Sequence, residues 1–119
     1  MNSDHTKHVL VSLEEFQELQ AAPGATIVIQ FGSKPCTRCP PVAEMISQMQ
    51  ATHQFRYAYI DVHEAEHDLM ELFGISKLPA YALYAGTSLL QTAQAVTPEA
   101  VQSAVSKECL PILKMDEDF

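Results

Sequence analysis

Cys36 and Cys39 enclose Thr37 and Arg38 in a Cys-x-x-Cys spacing. Two thiols three residues apart at the start of a helix stand one turn from each other and can close an intramolecular disulfide, while the more accessible thiolate can attack a disulfide in another molecule. Zinc and iron–sulfur sites use the same spacing with two further ligands, for which Cys109 and scattered histidines are the available residues. A purely structural pair is the third reading of the spacing alone.

The flanking sequence sets the geometry. The run Ala25-Thr26-Ile27-Val28-Ile29-Gln30-Phe31 is rich in β-branched residues and almost continuously apolar, which predicts a central strand covered on both faces. A loop over 32–35 follows. Pro40 and Pro41 suit the first turn of a helix, and Val42, Met45, Ile46 and Met49 recur at helical spacing to about Ala51. A cysteine between a strand end and a helix start meets the positive end of the helix dipole, so Cys36 is the expected nucleophile and Cys39 the resolving thiol.

Elsewhere the pattern alternates. Val9-Leu10-Val11 reads as a strand, and Ser12 with Glu15 forms a capping box for a helix from Leu13 to Gln20. Phe55 to Val62 reads as a strand, and Leu69 to Phe73 as a short helix ended by Gly74. Strands over Ala80–Tyr84 and Leu89–Ala95 flank a turn at 85–88, and Thr97 with Pro98 opens a last helix. The order β-α-β-α-β-α-β-β-α predicts an α/β fold, a mixed central sheet of about five strands with helices on both faces.

At 119 residues, 47% hydrophobic and 18% charged, the chain is expected to fold as one domain over 1–119, with 1–7 and 114–119 mobile. Its 15 acidic residues against 7 basic give a net charge of −8, which disfavours nucleic acid. No stretch has the length and apolarity of a membrane span, and the start lacks a signal peptide's apolar run, so a soluble cytoplasmic protein is expected. Lys34 and Arg38 flank the cysteine pair, and Lys77, two residues before Pro79, is expected beside the same site. Such a positive island would lower the Cys36 thiol pKa and favour an acidic substrate.

Thr26–Cys39 and Phe73–Gly86 together resemble the thioredoxin family. The first block matches strand, loop, Cys-x-x-Cys and helix, and Phe73-Gly74-Ile75-Ser76-Lys77-Leu78-Pro79-Ala80-Tyr81 resembles the stretch that carries the family's cis-proline. The resemblance implies a thioredoxin-like fold with a cis Pro79 beside Cys36 and the backbone of Leu78 free to pair with an extended substrate segment. It implies disulfide exchange with protein thiols and disulfides, a thioredoxin reductase or glutathione as electron donor, and no dissociable cofactor. Two departures stand out. Lys34-Pro35 occupies the place of the family's tryptophan before the first cysteine, and Gln30 the place of its buried acid. A carboxamide cannot accept the resolving thiol's proton, so slow resolution of mixed disulfides is expected. The alternative is a protein-binding module of the same fold with marginal redox turnover.

His63-Glu64-Ala65-Glu66-His67 fits a zinc-protease pattern literally. That chemistry needs both histidines on one stable helix, a third ligand and a cleft, and a solvated acidic helix start is the favoured reading. Cys109 is expected as a small buried residue and Phe55, Tyr57 and Tyr59 as packing residues.

Overall fold

The structure is a computed structural model, and it describes residues 7–24 and 26–112. The expected mobility of 1–7 and 114–119 falls outside the described residues except at Lys7, which opens the first strand. The elements are β1 (Lys7–Val9), α1 (Leu13–Ala21), β2 (Thr26–Gly32), α2 (Cys39–Met49), β3 (Phe55–Asp61), α3 (His67–Phe73), β4 (Ala80–Ala85), β5 (Ser88–Gln94) and α4 (Pro98–Glu108). They reproduce the expected order and make one five-stranded sheet ordered β1-β3-β2-β4-β5. β1 and β2 run parallel to β3, while β4 is antiparallel to both β2 and β5.

The local signals act as their chemistry demands. Ser12 Oγ accepts the Glu15 N–H, and the Glu15 carboxylate accepts the N–H groups of Val11 and Ser12 at 2.7 and 3.1 Å. Those two charge-assisted bonds hold the carboxyl of Glu15 below its usual pKa. β1 lies two residues earlier than the expected Val9–Val11, its pairing with β3 running from Lys7 to Val9. Gly74 caps α3 at a left-handed φ of 62° with its N–H on the Met70 carbonyl, a conformation that glycine adopts without strain.

β2 is central, and from Ile27 to Gly32 it is buried throughout. Its alternation sorts the two cores. Ile27, Ile29 and Phe31 join Phe16, Ile60 and Leu69 beneath α1 and α3, whereas Val28 packs with Val42, Ile46, Tyr57 and Val101 beneath α2 and α4. Gln30 therefore shares the Val28 face, two residues nearer the strand end from which the cysteine loop departs. Each large apolar side chain buried here contributes about 1.5–3 kcal/mol, so the strand that carries the loop is held rigidly from both sides.

Candidate active site

Cys36 and Cys39 form a disulfide with Cα atoms 5.5 Å apart. The loop between β2 and α2 closes through two tight turns, with the Cys36 N–H on the Ser33 carbonyl at 3.2 Å and the Cys39 N–H on the Cys36 carbonyl at 3.3 Å. Cys36 is half-buried, and Cys39, the first residue of α2, is buried. Exposure thus differs between the two sulfur-bearing residues in the sense that an attacking and a resolving thiol require. α2 has no acidic residue in its first turn to offset the dipole, and Pro40 and Pro41 withhold two N–H donors from it.

Beneath the pair lies a buried polar relay. Gln30 is fully buried; its Nε2 donates to the Cys39 carbonyl at 3.2 Å, and its Oε1 accepts the Tyr57 hydroxyl at 2.5 Å. Burial holds the Tyr57 phenol far above its usual pKa, so it is a neutral donor and fixes which way the carboxamide faces. Tyr59, opposite Gln30 in the β2–β3 ladder, completes the wall. An ideal Cβ on Gly32 would lie 2.8 Å from the Tyr59 hydroxyl and 3.3 Å from Cys39 Sγ, so only glycine lets these two groups approach across the strand. A recess beside them is lined by Cys36, Cys39, Lys34, Tyr59 and Lys7, whose ammonium sits 5.0 Å from the Tyr59 ring centroid.

On the other side, the Leu78–Pro79 peptide bond is cis, and Pro79 is buried with its carbonyl accepting the Val96 N–H at 3.0 Å. Val96, whose N–H makes that bond, also lines a groove with Thr37 and Arg38 of the cysteine turn and Pro41 of α2. Leu78 is half-buried, and neither its N–H nor its carbonyl is engaged by another backbone group among the described residues.

The three basic residues part company here. Arg38 is exposed in the groove, and Lys77 is exposed on the proline loop, whereas Lys34 pairs with Glu64 at 3.4 Å. That exposed pair contributes little to stability, yet it offsets part of the charge the island was expected to carry. Lys7 adds a cation that no local motif places here. Tyr57, Tyr59 and Gln94, which holds the proline loop, were equally unmarked.

Other candidates lie apart. His63 precedes α3 while His67 begins it, so the two histidines do not share a helical face. Among the described residues, no group of three or more His, Cys, Asp or Glu side chains is arranged to hold a metal ion, and no helix is long and apolar enough to cross a membrane. Cys109 is buried in the α2–α4 core, and burial with the neighbouring Glu108 pushes its thiol up to about 12.

A parallel-and-antiparallel sheet in this order, with a Cys-x-x-Cys disulfide at the start of α2 and a cis-proline before β4, defines a thioredoxin fold. Solved structures with the same architecture include the thioredoxin of Malassezia sympodialis, with a TM-score of 0.77 and 17% identity over 91% of this chain and 95% of that one. The Plasmodium falciparum thioredoxin is similar at a TM-score of 0.78 and 21% identity, covering 89% of each chain. Mitochondrial thioredoxin 3 of Saccharomyces cerevisiae, in its oxidized form, gives 0.74 and 22% over 84% of this chain and 93% of that one. No family model and no curated protein matches the sequence.

Proposed function

We propose that this chain is a thiol–disulfide oxidoreductase that exchanges disulfides with protein substrates through Cys36 and Cys39. The observation that carries this reading is the disulfide at the head of α2, with Cys36 the more accessible member. The reduced Cys36 thiolate attacks one sulfur of a substrate disulfide. A Cys36–substrate bond forms, the substrate S–S bond breaks, and the departing thiolate takes a proton from water. Cys39, having released its proton to solvent, then attacks Cys36 Sγ and expels the second substrate thiolate. The substrate gains two electrons and the pair is left oxidised. A thioredoxin reductase or glutathione returns it to the dithiol, and no dissociable cofactor is required.

In this reading Leu78 and Pro79 receive an extended substrate segment, with Arg38, Lys34 and Lys77 modulating the thiolate and attracting acidic substrates. The protein is cytoplasmic, where such reductants maintain turnover. Gln30 supports a second reading, a partner-binding module with marginal turnover, because its carboxamide is committed to Tyr57 and to the Cys39 carbonyl and takes no proton.

Insulin reduction under dithiothreitol separates the two readings. Turnover by the wild type, its loss in Cys36→Ser, and accumulation of a mixed disulfide in Cys39→Ser support exchange. An inert wild type that still captures partner proteins supports the module.

A further inference from the structure

The segment between α3 and β4 has no regular structure, yet one side chain from β5 holds its backbone. Oε1 of Gln94 accepts the N–H groups of Ser76 and Lys77 at 2.9 Å each and the Ser76 hydroxyl at 3.3 Å, while its Nε2 donates to the Gly74 carbonyl at 3.4 Å. Two residues beyond Gln94, the Val96 N–H ties the Pro79 carbonyl at 3.0 Å. Ala95 between them takes a φ of 55°, uncommon for a non-glycine residue, and turns the chain after β5. Leu78 lies between the two ties with its own N–H and carbonyl unpaired among the described residues.

We propose that Gln94 is the positioning residue for substrate binding: it anchors Ser76 and Lys77 so that Leu78 presents its backbone, already ordered, to an extended cysteine-bearing segment of a protein substrate. This rests on the oxidoreductase reading above and deepens it. The physical reason is entropic. A loop ordered before binding spares the complex the entropic cost of fixing its backbone. Gln94 is exposed, so its carboxamide could be solvated instead; its acceptor and one of its donors are turned onto the loop.

Gln94→Met keeps the length of the side chain and removes both donor and acceptor, while Gln94→Glu keeps the acceptor. Amide exchange at Ser76 and Lys77, and kinetics with insulin and with a small aromatic disulfide, read the consequences. The Met variant is expected to lose about tenfold in protection at both amides and to raise KM for insulin about tenfold, the range of one lost hydrogen bond. Its kcat and its rate with the small disulfide stay at wild-type values, and the Glu variant recovers both losses. Unchanged protection in the Met variant, an unchanged insulin KM, or an equal slowing with both substrates would overturn the role of Gln94. A wild type that turns over neither substrate would instead sink the oxidoreductase reading, and with it this use of the loop.

Discussion

The Tyr57 hydroxyl donates to Gln30 Oε1 from the neighbouring strand and thereby aims the Gln30 amide at the carbonyl of Cys39. Three groups buried in the same place are satisfied by one another, so the first turn of α2 is fixed to the sheet by a neutral chain of hydrogen bonds. No group in this chain takes a proton at neutral pH. What anchors the resolving cysteine's backbone is therefore distinct from what would deprotonate its sulfur.

Gln30→Asp places a carboxylate there. It is expected to raise the rate of insulin reduction at least about tenfold near neutral pH, a small part of what a positioned base supplies. No gain in rate would count against slow resolution as the consequence of Gln30.

Tyr57→Phe leaves Gln30 Oε1 buried without its donor. The expected cost is about 1–3 kcal/mol in urea denaturation. A neutral substitution would mean that the carboxamide is not held from this side.

Gly32→Ala drives a methyl to within 2.8 Å of the Tyr59 hydroxyl and 3.3 Å of Cys39 Sγ. Overpacking at such a site costs about 1–3 kcal/mol. Tyr59→Phe in the same background removes the nearer of those contacts and should restore part of the loss; thermal unfolding of the single and double variants measures the coupling.

The Cys109 thiol titrates near 12 in the folded state because burial opposes the thiolate, and the unfolded thiol ionises near 9. Above pH 9 the unfolded chain holds fewer protons than the folded one, so stability falls as pH rises toward 12, by up to about 1.4 kcal/mol per unit. The buried tyrosines, also shifted upward, add to the fall above pH 10. Cys109→Ala should flatten the part between pH 9 and 10; an identical slope in both proteins would remove Cys109 as its source.

Much of the architecture is legible because it is written locally. The capping box at Ser12 and Glu15, the apolar run of β2, Gly74 and the Thr97-Pro98 start of α4 each act within a few residues of themselves, and the elements follow. Cys36 and Cys39 are legible for the same reason. Gln94 is not, since its partners lie 17 to 20 residues away and an exposed glutamine in a strand carries no local mark. Tyr57 and Tyr59 read as packing residues because the alternation of β3 is satisfied by packing alone; only the β2–β3 register sets them beside Gln30 and Gly32. β1 begins earlier than expected because its pairing with β3 starts at Lys7, a residue with no apolar signal.

Free thiols counted after denaturation, on protein equilibrated across redox buffers from about −330 to −120 mV, test the central claim most directly. A reversible two-electron transition is predicted, from all three cysteines reduced to Cys109 alone. Three thiols at every potential, or a metal ion retained in stoichiometric amount on Cys36 and Cys39, would contradict it.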